Sequence, residues 1–245
     1  TRRSPGSLGA MTTSGQVLIH GASGRMGQAL LRLAAGHDNL RVAAAVAPPN
    51  EMPSLLGTPF HTASDIESVA DFDVAIDFST PLAFDGILAL CVHRRTAFVS
   101  GTTGLTSVQR TALASAAERI PVLWAANFSV GVAVMEELVE RAARALDGWD
   151  CDIVEAHHAR KLDAPSGTAL TLGAAAERGG AEPRYASLRA GDIVGEHLVQ
   201  FAGSGERIEL IHRATNRDIF ANGALHAASR LVGRAPGAYR LRDLF

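Results

Sequence analysis

Lysine is almost missing from this chain. Of its 23 basic residues, 22 are arginine and one, Lys161, is lysine. The two side chains are interchangeable on most solvated surfaces, but only lysine gives up a proton when its environment demands it. Lys161 therefore stands out as a candidate for proton chemistry. Cysteine is also scarce. Cys91 and Cys151 are the two present, too few for a disulfide framework or a cysteine zinc site, and a reducing cytoplasm is the expected setting. No apolar run reaches the ~18 residues that a spanning helix needs, so no membrane partner is expected. Positive charge is in no excess, with 23 Lys and Arg against 25 Asp and Glu, so no field draws the chain onto nucleic acid or anionic lipid. A small-molecule partner follows. The first residues include Arg2 and Arg3 but no apolar segment of the signal-peptide kind. Residues 1 to 14 read as a tag or disordered arm, with Met11 as the natural start.

What is present is ordinary globular material. The 245 residues are 47% apolar and 20% charged, which suits one large or two modest domains. From Gln16 to about Trp124, short β-branched runs alternate with helical stretches. Strands are expected at Val17–Ile19, Val42–Val46, Val74–Ile76, Ala97–Val99 and Val122–Trp124, with helices near 24–35, 82–93 and 106–119 between them. That alternation predicts a doubly wound parallel sheet. A helix over 130–146 follows, and then the grammar changes. Ile153–Ala156, a helix at 166–178, and runs at Ser187–Arg189, Val194–Ala202 and Arg207–Arg213 separated by Gly-containing turns read as antiparallel sheet. A last helix is expected over 216–233, opened by Thr215 with Asp218 three residues on in a capping-box pattern. The architecture changes near Asn127-Phe128, and a cleft there is the default ligand site.

Two segments carry chemistry. Gly21-Ala22-Ser23-Gly24-Arg25-Met26-Gly27 links the first strand to the first helix as a Gly-x-x-Gly-x-x-Gly variant of the dinucleotide fingerprint. Gly21 would make the tight turn, Gly24 would admit the pyrophosphate, and Gly27 would let helix pack on strand. The acid expected about 20 residues later, to hold the adenosine ribose diol, is missing from Val46-Ala47-Pro48-Pro49-Asn50, and none appears before Glu51. A site lacking that carboxylate does not repel a 2′-phosphate, and Arg25 could pair with one. The cofactor is expected to be NADPH or NADH, with NADPH favoured. The second segment runs from Glu155 to Thr168 and holds His157, His158, Arg160 and Lys161 just before Ser166-Gly167-Thr168. Ser166 is a plausible N-cap, so the N–H groups of Gly167 and Thr168 would face an anion such as a substrate carboxylate. Adjacent histidines on an extended chain face opposite ways, so His157 and His158 are expected to differ in role. Zinc would need three or four converging ligands, a spacing this run lacks, and no metal is expected.

These blocks, with Asp77-Phe78-Ser79, Gly101-Thr102-Thr103-Gly104, Ala126-Asn127-Phe128-Ser129-Val130-Gly131 and Arg189 to His197, make the chain from Gln16 onward resemble the 4-hydroxy-tetrahydrodipicolinate reductases, the dihydrodipicolinate reductase family of lysine and diaminopimelate synthesis. The resemblance implies a Rossmann-like parallel-sheet domain from 15–128 and 219–245, and an α+β substrate and oligomerisation domain with an open mixed sheet from 129–218. It implies NAD(P)H-dependent reduction of a cyclic imine dicarboxylate, His157 and Lys161 as the proton-transfer pair, and His158, Lys161, Gly167 and Thr168 as substrate contacts. It places Gly101, Thr102, Thr103, Ala126, Asn127 and Phe128 beside the nicotinamide, and implies a homotetramer. Other two-domain NAD(P) oxidoreductases, such as amino-acid dehydrogenases, share the phosphate loop without requiring the His-His-x-x-Lys run. A non-catalytic dinucleotide sensor would bring a basic DNA-reading segment or a degraded catalytic cluster, and neither is present.

Overall fold

Val17, Leu18 and Ile19 are wholly buried at the centre of the first strand, β1 (Gly15–His20), and the rest of one sheet is built outward from them. The computed structural model describes residues 14–49 and 58–245. The expected N-terminal arm lies outside them except for Ser14, as do Asn50 and Glu51. After β1 come α1 (Arg25–Ala34), β2 (Leu40–Val46), β3 (Phe60–His61), β4 (Val74–Asp77), α2 (Pro81–Arg94), β5 (Ala97–Ser100), α3 (Ser107–Ala117) and β6 (Pro121–Trp124). The chain continues through α4 (Val130–Ala145), β7 (Asp150–His157), α5 (Gly167–Arg178), β8 (Pro183–Arg189), β9 (Gly195–Gly203), β10 (Glu206–Ala214), α6 (Asp218–Leu231) and β11 (Gly237–Tyr239).

Seven strands form a parallel sheet in the order β11-β6-β5-β4-β1-β2-β3. Winding reverses between β1 and β4, and open α/β sheets bind ligands at the carboxyl ends of such a pair. There His20 and Asp77 are register partners. Helices α1 and α6 cover one face, and α2 and α3 the other. On α6, Leu225 and Leu231 are fully buried, each contributing roughly 1.5–3 kcal/mol relative to exposure. The β1–α1 turn depends on glycine. Gly21 has φ of +79°, and a Cβ on Gly27 would lie 2.2 Å from the Gly21 carbonyl oxygen.

The second sheet runs β10-β9-β7-β8. Only part of it matches the antiparallel expectation, because β7 and β8 are parallel while β9 is antiparallel to β7 and to β10. The physical reason is α5, whose crossover returns the chain in the same direction. Strand β8 also begins at Pro183, four residues before the apolar signal, since its side chains are mostly exposed and show no alternation. Helices α4 and α5 pack on this sheet through Val139, Leu172, Ile153, Val199 and Phe201. The capping box expected at Thr215 does not form. The N-cap of α6 is Arg217, the Asn216 side chain accepts from the Asp218 N–H at 2.9 Å, and Asp218 instead binds Arg32 at 2.7 Å. Strands β3 and β11, at two and three residues, are too short to show periodicity in sequence.

Candidate active site

The floor of the site begins with Asp77 at the end of β4. This fully buried carboxylate accepts from His20 Nδ1, Ser79 N–H and Oγ, Ser100 Oγ and Thr102 Oγ1, at 2.6–3.2 Å. Burial raises its pKa, but the bond and charge of His20 and the hydroxyl donors outweigh that and hold it below the usual carboxylate range. Asp77 thus ties together the ends of β1, β4 and β5. Thr102 is committed to this network. It is 2% exposed and points inward, and its carbonyl takes the Trp124 indole N–H at 2.8 Å. Beside it Phe78 packs on Phe128 with ring centroids 5.3 Å apart.

A cavity of about 690 Å³ opens above this floor, between the two sheets. Met26, Gly101, Ala126, Asn127 and Phe128 line it from the first sheet, and His157, His158, Lys161, Gly167 and Thr168 from the second. Asn127 Nδ2 donates to Thr168 Oγ1 at 2.9 Å, joining the two sides. Gly21, Ala22, Ser23, Gly24, Gly27, Thr102 and Thr103 do not line this cavity. Ala22 and Gly27 are buried within the β1–α1 turn, and Gly21 and Ala22 donate their N–H groups to the Val46 carbonyl. Arg25 lines an adjoining cavity of about 560 Å³ together with His158, Arg160, Asp192, Val194 and Arg217. Among the described residues, the Arg25 and Arg217 guanidinium groups have no side-chain or carbonyl partner.

The loop residues fit a dinucleotide. A Cβ on Gly24 would meet one protein atom, the Gly21 oxygen at 3.3 Å, so its outer side is an open cradle. The first intrahelical bond of α1 runs from Gln28 N–H to the Gly24 carbonyl at 2.9 Å, leaving the N–H groups of Arg25, Met26 and Gly27 for an anion. Strand β2 ends at Val46 and runs on into Ala47-Pro48, with no carboxylate there for a ribose diol.

On the opposite wall, Ser166 caps α5, its Oγ accepting from the Ala169 N–H at 3.2 Å, which leaves the N–H groups of Gly167 and Thr168 facing the cavity. His157 ends β7, and its Nδ1 lies 2.5 Å from Glu155 Oε2. His158 is held below its ordinary 6.5, by burial first and then by the charges of Arg160, Arg217, His157 and Lys161, which favours its neutral form. Lys161 Nζ donates to both Asp163 oxygens at 2.8 Å. The two histidines differ in surroundings, as their alternation demands, yet both reach the same cavity. Among the described residues, no group of three or more His, Cys, Asp or Glu side chains is placed to hold a metal ion.

Several contributors escaped the sequence reading. Glu155 sits two residues before His157 on a strand, so their shared face was readable. Arg189 on β8 and His197 on β9 reach the site through sheet pairing. Arg217, Phe220, Arg240, Leu241 and Arg242 line the main cavity from far along the chain, and no local pattern marks them.

The family models for the N-terminus and C-terminus of dihydrodipicolinate reductase match residues 15–128 and 131–245. The chain is 70% identical over 233 residues to the 4-hydroxy-tetrahydrodipicolinate reductase of Stenotrophomonas maltophilia strain K279a, covering 94% of this chain and 97% of that one. It is 65% identical to the enzyme of the same name from Xanthomonas campestris pv. campestris strain B100, covering 96% and 99%. Among solved structures, a dipicolinate-bound dihydrodipicolinate reductase from Paenisporosarcina sp. TG-14 shares the fold with a TM-score of 0.82 at 24% identity, over 95% of this chain and 100% of that one.

Proposed function

Because this chain belongs to the dihydrodipicolinate reductase family, we propose that the cavity between its two sheets is where both reactants meet and where His157 and Lys161 manage the proton. The chain is an NAD(P)H-dependent oxidoreductase that reduces 4-hydroxy-tetrahydrodipicolinate to tetrahydrodipicolinate in lysine and diaminopimelate biosynthesis. The observation that carries the site assignment is the opening of His157, His158, Lys161 and the α5 N-terminus into one cavity with Gly101 and Ala126 to Phe128.

The β1–α1 loop, from Gly21 to Gly27, would hold the cofactor's phosphates, and the Gly101 to Thr103 segment, through Gly101, would flank its reactive end with Ala126 to Phe128. Loss of the substrate's 4-hydroxyl as water leaves a conjugated ring, and a reduced nicotinamide bound there would supply hydride to one carbon of that ring. Gly167 and Thr168 N–H groups, with Lys161 and His158, receive the substrate's carboxylates. His158 contributes as a hydrogen-bonding group, whereas Lys161 brings an ammonium group to the same wall. Protonation of the ring carbon next to the reduced one falls to His157 and Lys161, whose ring and ammonium nitrogens line this wall of the cavity. The missing ribose carboxylate and the unpartnered Arg25 favour NADPH over NADH.

The homotetramer belongs to the same proposal. Tyr185 and Leu188 on β8 and Ile208 and Ile211 on β10 are all exposed, which gives the second sheet apolar surface for other subunits. Cys91 and Cys151 are buried free thiols, which suits the cytoplasm.

Oxidation of NADPH and NADH, followed with substrate freshly made by the upstream synthase, tests the assignment. Turnover is expected with wild type and not with the double variant His157→Gln/Lys161→Met. Undiminished turnover in that variant would place the proton chemistry elsewhere.

A further inference from the structure

The Glu155 carboxylate is 1% exposed and every group around it is a donor. Arg189 binds it through both guanidinium ends, Nη1 to Oε2 at 2.9 Å and Nη2 to Oε1 at 2.7 Å. The Ser166 N–H reaches Oε1 at 3.3 Å, and His157 Nδ1 lies 2.5 Å from Oε2. Burial alone would raise this carboxyl, but the bonds from Arg189, Ser187 and His157 hold it at about 2, so it is ionised whenever the protein is folded near neutrality. An ionised carboxylate only accepts, and the ring nitrogen facing it must therefore carry the proton.

We propose that Glu155 is a positioning residue that fixes His157 with its proton on Nδ1 and leaves Nε2 as the proton-transfer atom, and that Arg189 holds Glu155 in place to do so. The proposal rests on the proton-transfer role given to His157 above. Two further contacts support it. A Cβ on Gly195 would stand 3.1 Å from His157 Nε2, so the glycine keeps room beside that atom. The His197 ring packs edge-on against His157 at 5.2 Å and restrains its rotation. The carboxylate that orients His157 also receives the N–H of Ser166, the residue that caps α5. One buried charge thus sets the spacing between the proton-transfer imidazole and the carboxylate-binding helix end. Arg189 adds a bond from Nη2 to the Asp163 carbonyl at 2.7 Å, tying the Lys161 loop to the same pair.

The test begins on the unaltered enzyme. Nitrogen-15 spectra of the histidine ring, assigned by loss of the signal in His157→Gln, should show neutral His157 protonated on Nδ1; protonation on Nε2 would overturn the proposal. Glu155→Gln removes the charge and places an amide donor among donors. Since it leaves Arg189 uncompensated, the double variant Glu155→Met/Arg189→Met is made beside it, a replacement that leaves no unpaired buried charge. In both, the Nδ1 preference should be lost and kcat should fall by about 10²-fold or more, the scale on which an imidazole in the wrong tautomer loses turnover. KM for NADPH should stay within about twofold, since neither residue belongs to the phosphate loop. A lost tautomer preference with unchanged kcat, while His157→Gln is impaired, would overturn the positioning role. Unchanged kcat in all three variants would instead remove His157 from the chemistry, and the function of Glu155 with it.

Discussion

Lys161 and Asp163 form a closed bidentate pair, with Nζ 2.8 Å from each carboxylate oxygen. The lysine proposed to receive a substrate carboxylate already holds one from its own loop. Lys161 is the less exposed partner, at 21% against 60% for Asp163.

A substrate carboxylate at Lys161 would compete with Asp163 for an ammonium that has three donors. Replacing Asp163 by Asn should lower KM for substrate, and Ki for a dicarboxylate inhibitor, by roughly two- to fivefold, the worth of an exposed ion pair. Steady-state kinetics on both ligands decide the matter. A raised KM would mean that Asp163 aims Lys161 rather than competing for it.

Charge and acidity at Lys161 can be separated. Lys161→Arg keeps the positive charge, but a guanidinium with a pKa above ~12 releases no proton at neutral pH. We expect kcat to drop by ~10² to 10⁴, the worth of a positioned general acid, with normal NADPH binding. A kcat within about threefold of wild type would leave His157 or water as the donor.

Cofactor choice should follow Arg25. Its guanidinium faces the smaller cavity with Arg160, Arg217 and His158, and β2 offers no carboxylate opposite. Arg25→Ala should raise KM for NADPH more than KM for NADH. Equal losses would assign Arg25 to a phosphate that both cofactors share.

Acid stability should carry the mark of His197. Burial first, then the neighbouring His157 and His212, push this imidazole from the ordinary 6.5 down to about 4. Within that window the unfolded chain takes up a proton that the folded chain refuses, so stability is complete above pH 6.5 and declines as pH falls toward 4. The full decline is worth roughly 3 kcal/mol. Glu155, held at about 2 against 4.5, adds a loss below pH 4.5. Urea unfolding across the upper window should show a shallower slope for His197→Gln than for wild type. Equal slopes would mean that other groups bind the proton.

Sequence carried the parallel sheet because its strands are buried and β-branched, as in Val17–Ile19 and Val74–Ile76. It carried the second sheet less well, since the direction of β8 depends on the path of α5 rather than on any residue in β8. The same division holds at the site. Gly24, His157 and Lys161 announce themselves by type and spacing. Asp77, Arg189 and Arg217 do not, because sheet register and the start of α6, not neighbours in sequence, bring them to the site. A charge that matters through what it touches in space leaves no local signature.

The return of the chain to its first sheet has a consequence for biosynthesis. Val17, Ile19, Val74 and Ile76 share a core with Ala224, Leu225, Ala228 and Leu231, and β11 pairs with β6 through Gly237 to Tyr239. While a ribosome is still making the second sheet, the first has six of its strands and the helices α1, α2 and α3 in hand but an apolar face without its α6 cover. The nascent chain must carry that open face until residues 218–239 emerge, so the first sheet is completed only after the whole of the second has been made.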